Sequence, residues 1–361
     1  MTQIGFFDLP EHLQRLSDAG DPLETMAQAV DFEAFRSVLE EALAYSDGAK
    51  GGRPPYDAVA MFKALVLAAQ NNVSDARMEF LIRDRLSWMR FLDFELGRPT
   101  PDENTIRLFR ERLTKAGAIQ RLFDLYDQQL RASGYLAMGG QIVDATLVAA
   151  PRQRNTADEK VQIKAGRTAA EIWPGAPAKA AQKDVDARWT VKTGRPRPRD
   201  PGISKHSVPT LAIPVFGYKS HLSIDRRFGF IRSFAVTDAA RHDGALLREL
   251  VTSDNTASDV WADTAYRSKA NEEWLASRGR VSRIHRKKPK GKPMAERTRK
   301  ANAKKSTVRA WVEHVFAHQK DRMVLFIRTI GQARAEAKIG LANLAYNIGR
   351  FLYHERQLAT R

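Results

Sequence analysis

The chain has 361 residues, 43% of them hydrophobic, enough for two or three domains with a sizeable core, so disorder along its whole length is not the default reading. Lysine and arginine number 59 against 42 aspartate and glutamate, a formal charge of +17. That excess draws polyanions, nucleic acid first, with a ribosome or a membrane surface as the bland alternatives. There is no cysteine, which excludes disulfides, Cys-ligated zinc and thiol catalysis.

Residues 1–10 lack the basic-then-apolar order of a signal peptide, and the best apolar run, 64–69, is far too short to cross a bilayer. A cytoplasmic, nucleoid-associated protein with no membrane partner is expected. Residues 22–135 read as helical. Phe32, Phe35, Val38, Leu39 and Ala42 recur at helical spacing, and Gly48, Gly51, Gly52, Pro54 and Pro55 interrupt it. A second helix carries Val59, Phe62, Leu65 and Val66, and a third starts at Ser74 with Met78, Leu81 and Ile82. Thr100, Pro101, Asp102 and Glu103 give a start signal, with the Thr100 hydroxyl as cap and proline in the first helical position. The helix they open turns Ile106, Phe109 and Leu113 inward and leaves Arg107, Arg110 and Arg112 off that stripe. Several short helices ending in an arginine-bearing one suit a helix-turn-helix DNA reader, and equally a plain bundle with solvated arginines.

The texture changes at Gly139 and Gly140. Residues 141–148 form a short apolar run, read as a buried strand. Residues 151–210 are polar, basic and proline-containing, read as a long loop or partly disordered insertion. Strands are predicted at 216–224 and 230–236 around a turn at 226–229, a helix at 243–251, a strand at 259–266, a helix at 269–277 and a strand at 281–285. The stretch 278–305 is densely basic, and Pro289, Gly291 and Pro293 argue against regular structure there; Arg286, Lys287 and Lys288 suit a phosphate-binding arm. Helices at about 306–320 and 332–356 follow. Strands and helices in this order imply an α/β fold, a mixed sheet with helices packed on it.

Two strands hold an acid where an apolar residue is expected: Asp144, between Val143 and Ala145, and Asp263, after Val260, Trp261 and Ala262. A charged carboxylate in apolar surroundings costs several kcal/mol unless compensated, and a divalent cation is one compensation. The alternative is that either aspartate merely ends its strand and caps a turn. The helix at 306–320 projects Arg309, Glu313 and Lys320 from one face, with Val308, Trp311, Val312 and Val315 mostly opposite. Taken alone, that face is a solvated i,i+4 ion pair.

Arg309, Glu313 after three intervening residues, and Lys320 after six more resemble the C-terminal signature of bacterial insertion-sequence transposases of the DDE type. The tyrosine usual three residues before the arginine is replaced by Ser306. Asp184 to Trp189 followed by Phe216 to His221, the turn ending in His242 and Asp243, the run Trp261, Ala262, Asp263 with Tyr266, and residues 101–110 resemble further segments of that family, most like insertion-sequence family five. The likeness spans about residues 30–355.

The resemblance implies a ribonuclease-H-like mixed-sheet catalytic core preceded by an all-helical DNA-binding domain. The organisation expected is a helical domain at 1–135, a first catalytic strand at 136–150, a basic insertion at 151–210, the rest of the core with its basic loop 278–305 at 211–330, and a C-terminal helix at 331–361. Asp144, Asp263 and Glu313 are then catalytic and bind two Mg²⁺ ions, which Mn²⁺ can replace. The step of 50 positions from Asp263 to Glu313 leaves no room for a large β-rich insertion. Water would free a 3′-OH at the element's end, and that 3′-OH would attack target DNA. Arg309, Lys320 and Lys219 are expected on the DNA backbone, with His242 and Asp243 behind the carboxylates or Asp243 capping a helix. The partners implied are double-stranded DNA, as terminal inverted repeats and target, and a second copy in a homodimer on DNA. The competing readings are a catalytically inactive or domesticated DNA-binding relative and a nuclease without strand transfer.

Overall fold

The computed structural model describes residues 8–45, 54–194 and 211–360. Eight helices come first among them: α1 Asp8–Asp18, α2 Pro22–Ala29, α3 Arg36–Leu43, α4 Ala58–Asn71, α5 Asp75–Asp84, α6 Leu86–Phe91, α7 Glu103–Lys115 and α8 Ala118–Ala132. α4 is the axis of this bundle. Its sequence is apolar nearly all round, and eleven of its fourteen residues are buried, as a helix enclosed by others requires. Asp57 caps it, accepting from the Val59 and Ala60 amides at 2.9 Å. Phe35 meets Phe62 at 4.9 Å between ring centroids and Tyr126 at 6.3 Å, so α4 and α8 share one aromatic core with the chain before α3.

Ser74 caps α5 as expected, and Ile106, Phe109 and Leu113 of α7 are buried. The start of α7 differs in detail from the sequence reading. Asp102 is the cap, accepting from the Thr105 amide at 2.7 Å, and the Thr100 hydroxyl instead accepts from Arg83 at 3.0 Å. A carboxylate at the positive helix terminus is the stronger cap, which shifts the start two residues on.

The second part is a six-stranded sheet: β1 Gln141–Ala149, β2 Arg188–Gly194, β3 Leu211–Asp225, β4 Ile231–Asp238, β5 Asp259–Trp261 and β6 Val281–Ser282. β3 pairs antiparallel with β1, β2 and β4, while β1–β5 and β5–β6 are parallel. The turn between β3 and β4 falls at 226–229, as predicted, and Asp225 folds it by accepting from the Phe228 and Phe230 amides.

Three expectations change. Residues 157–182 are not loop: they form α9 Ala157–Lys164, α10 Ala169–Ile172 and α11 Pro177–Gln182, closed over Ile163, Ile172 and Trp173. Two capping boxes, Thr156 with Glu159 and Thr168 with Glu171, start the first two. Of the remainder of that insertion, residues 195–210 lie outside the described residues. The predicted strand at 259–266 ends at Trp261, and a 3-10 turn, Thr264–Tyr266, follows. The basic stretch 278–305 is irregular only in part. After α12 Leu247–Leu250 and α13 Lys269–Ser277, helix α14 starts at Glu296 and runs to Ala317, because beyond Pro293 the sequence holds only good or neutral helix formers.

Helix α15, Gln332–Ala359, ties the two parts together, packing on α4 and α8 on one side and β4 on the other. Its Ile339, Leu344, Ile348 and Phe351 are buried in the core. A buried polar knot lies beside them. Arg232 of β4 donates to Asp225 at 3.0 Å, to Asp127 of α8 at 2.7 Å and to the Tyr135 carbonyl at 2.7 Å.

Gly140, at φ 93°, directly precedes β1 in a closely packed place. A Cβ there would stand 2.5 Å from the Trp261 ring and 2.6 Å from the Asp259 carbonyl. Gly140→Ala is expected to lower stability by about 2–4 kcal/mol from backbone strain and overpacking together. Urea unfolding measures this; a midpoint equal to that of the parent protein would contradict the packing described.

Candidate active site

The carboxylates of interest stand where parallel strands β1 and β5 run side by side. The last registered pair is Ile142 with Trp261; two residues further on each segment come Asp144 and Asp263. β-Pairing thus brings together acids 119 residues apart in the sequence. Asp263 follows the strand and accepts from the Ala265 amide at 2.7 Å, capping the 3-10 turn, as the plainer sequence reading of a strand-ending aspartate proposed. Asp144 lies within β1 and accepts from its neighbour's amide, Ala145, at 2.9 Å.

α14 packs across β1 and β5 and supplies the third acid. Val312 and Val315 are buried under it, while Trp311, predicted to share that packing face, is 46% exposed. Arg309 projects over the strands between two acids. Its Nη2 donates to Glu313 at 2.8 Å, and its Nε stands 3.1 Å from Asp144, a charge contact without hydrogen-bond alignment. Burial pushes the Asp144 carboxyl up to about 6 against the pull of Arg309 and the Ala145 amide, and the charges of Asp263 and Glu313 add to the rise. All three acids therefore act on one electrostatic centre, and Arg309 is the cation now at it.

Among the described residues no three carboxylate or imidazole groups converge into a ready-made ion cage. The donor chemistry nevertheless suits a hard divalent cation, since the acids are all oxygen donors and Asp144 gains from any added positive charge. The buried Tyr266 hydroxyl has no hydrogen-bond partner and feels the charges of Asp144, Asp243 and Asp263. An orphaned polar atom in the field of three acids fits a site built to hold a further polar species.

Lys320 follows α14 in a π-helical turn, His318–Arg322, and its amine donates to Thr146, two residues along β1 from Asp144. Burial depresses the Lys320 amine, with Lys192 adding repulsion. Lys219 is less available than the sequence suggested: it donates to Asp243 at 2.7 Å and to the Arg241 carbonyl at 2.6 Å. Asp243 is therefore an ion-pair partner and not the cap of the following turn. His242 is the cap, its Nδ1 accepting from Gly244 at 3.2 Å.

The remaining basic residues divide. Arg110 is held bidentate by Asp75, at 2.7 and 2.5 Å, and is thereby a structural strut. Arg112 lies over the Tyr45 ring at 5.0 Å, while exposed Arg107 donates to the Asn104 side chain at 3.3 Å. The Arg286 backbone is fixed by Asn302, and exposed Lys287 and Lys288 follow it. Thr146 and His285 were not singled out by sequence, and Tyr266 only as part of the run around Asp263. Thr146 had a signal, alternation with Asp144 on one strand face. His285, whose buried Nε2 lacks a partner, had none; burial lowers its basicity, with Arg309 and Lys305 adding to the effect.

A family model described as "Transposase DDE domain" matches residues 136–348, more than half of the chain. The chain belongs to the DDE transposase family. A second model, "Transposase domain (DUF772)", matches residues 11–112, so the helical part of this transposase is itself characteristic of transposases. No solved structure matches the chain. The transposase is an enzyme of DNA transposition, a mixed α/β protein with a helical N-terminal region, and its substrates are DNA. Among the described residues no helix is long and apolar enough to cross a membrane.

Proposed function

We propose that this transposase binds the ends of an insertion sequence, of the family-five kind, cuts them and joins them to target DNA at a site made by Asp144, Asp263 and Glu313. The observation that carries the proposal is the meeting of Asp144 and Asp263 across β1 and β5 with Glu313 tied to Asp144 through Arg309. The strand order β4-β3-β1-β5-β6, antiparallel on one side of β1 and parallel on the other, supports a ribonuclease-H-like core. Helices α1 to α8 and residues 136–348 correspond to a DNA-binding and a catalytic domain, the latter carrying the 151–210 insertion. The protein works in the cytoplasm at the nucleoid, as a homodimer that holds two ends together.

The three carboxylates would hold Mg²⁺, or Mn²⁺ in its place, as two ions, which when bound supply activation of the attacking oxygen and stabilisation of the leaving one. The chain's own residues do the rest. Asp144 and Asp263 present oxygen donors from a rigid sheet, and Glu313 from a helix packed on it. Arg309 neutralises Asp144 and Glu313 before substrate arrives; released from either, its guanidinium is free to pair with a backbone phosphate. Lys320, held beside Thr146, offers a second cation to the same strand of DNA. Lys219 keeps Asp243 paired next to buried His221, whose imidazole burial pushes down to about 4, so that it stays neutral at the working pH.

The test is cleavage of a plasmid carrying the element's own ends by Asp263→Asn and Glu313→Gln variants in Mg²⁺ or Mn²⁺. Each is expected to lose at least ~100-fold in rate with DNA binding kept within about twofold. Full cleavage by both would overturn the assignment. The inactive DNA-binding reading has one observation in its favour, that Arg309 already satisfies two of the acids. Mn²⁺ raising the melting temperature of the parent protein but not of Glu313→Gln decides against it.

A further inference from the structure

A second cluster of charge lies away from the carboxylates, in a cavity of about 470 Å³ between α7, α15 and the segment before α15. Five cations line it: Arg107, Arg110, Arg328, Arg334 and Lys338. Two are neutralised, Arg110 by Asp75 and Arg334 by Glu111, each through two hydrogen bonds. Arg107, Arg328 and Lys338 have no carboxylate partner among the described residues, and both acids lining the cavity are already engaged.

We infer that this cavity is a phosphate-binding site for the backbone of the DNA, with Lys338, Arg328 and Arg107 as its ligands. Like charges crowded into a part-buried space repel one another, and an anion reverses that cost. Lys338 carries the mark of it: burial and the charges of Arg110 and Arg328 depress its amine, with only Asp75 opposing. The cavity is larger than a lone phosphate needs, and its apolar wall at Val73, Phe326 and Ile330 suits the sugars flanking a phosphodiester.

Its position fits the same DNA. Ile327 donates to the Ala149 carbonyl at 3.0 Å, so the segment bearing Arg328 is fastened to the end of β1. Asp144 lies five residues back along that strand, roughly 17 Å at 3.3 Å per residue. A duplex engaged at the acids thus passes within reach of the cavity. Arg107 comes from the helical part and Lys338 from α15, so one phosphate fixes both parts of the protein to one point on the DNA. The inference rests on the DNA-transposing reading for its choice of anion.

The experiment uses the full chain, a labelled duplex of arbitrary sequence and fluorescence anisotropy across a chloride series. Lys338→Gln and Arg328→Gln are each expected to weaken binding about threefold to tenfold and to reduce the slope of log affinity against log salt by about one. Arg15→Gln, removing an exposed cation of α1, should change neither. Without DNA, Lys338→Gln is expected to melt at or above the parent temperature, because repulsion is relieved; a clear fall would mark Lys338 as a structural partner of Asp75 and overturn the inference. Unchanged affinity and slope in both variants would overturn it too. So would inorganic phosphate stabilising the parent but not the variants while duplex binding stays equal, since the site would then serve a free anion. Failure of the parent itself to bind duplex would instead remove the transposition reading.

Discussion

Asp144→Asn is expected to abolish DNA cleavage, by about 10³-fold or more, and at the same time to make the ion-free protein more stable above pH 6. The first half follows from losing a charged donor at the electrostatic centre of the site. The second follows from the raised carboxyl. Asp144 ionises near 6 in the folded protein against an ordinary value of 3.8. Below about pH 4 it is protonated folded or unfolded and costs nothing. Between 4 and 6 only the unfolded chain has released the proton, so stability falls as pH rises; above 6 the whole penalty, on the order of 2–3 kcal/mol, is present. Asparagine removes the charge, and Arg309 keeps Glu313. Urea unfolding from pH 4 to 8 should show the parent's stability declining by this amount and the variant's curve flatter, with the two drawing together towards pH 4. A variant less stable than the parent at pH 7.5 would show that the contact with Arg309 outweighs the burial.

Arg232→Met is the substitution expected to harm folding most. The guanidinium is 2% exposed and satisfies Asp225, itself fully buried, and Asp127 of α8. Burial already pushes the Asp225 carboxyl up against the pull of Arg232. Removing the cation leaves Asp225 buried with only its two turn amides, Asp127 with only Arg131, and the Tyr135 carbonyl without its donor, between the helical part and the sheet, a loss of about 3–5 kcal/mol. Calorimetry should show a lower melting temperature and a larger deficit at neutral than at acid pH, because the raised Asp225 carboxyl takes up a proton more readily once its cation is gone. An unchanged melting temperature would mean the two parts are joined by apolar packing alone.

The helical half was readable because its signals are local. Apolar spacing placed α4, α5 and α7 and their buried faces. Asp144 was readable for a related reason, since an acid between Val143 and Ala145 within a strand breaks the apolar pattern. Asp263 was found for a partly mistaken reason: it follows a three-residue strand and does not lie inside one, but β1 still reaches its level. The three helices between β1 and β2 could have been read from their threonine–glutamate capping boxes; the prolines and charges around them masked that signal. The Thr100 cap failed because Arg83, seventeen residues away, competes for the hydroxyl. What no local pattern holds is who meets whom across the fold. That Arg309 faces Asp144, that Lys219 is spent on Asp243, and that Arg110 is tied to a carboxylate while Arg107 is not all depend on packing.

Helix α15 has a consequence for how the polypeptide matures. Its apolar side completes the core of α4 and α8, which left the ribosome more than two hundred residues earlier. Vectorial, piecewise folding, the usual route for chains with independent domains, is thus closed to this one. The early helices must wait as an open bundle with exposed apolar surface, prone to chaperone capture, until 332–359 emerges. A nonsense mutation anywhere before that helix should leave an insoluble remnant rather than a competent DNA-binding fragment.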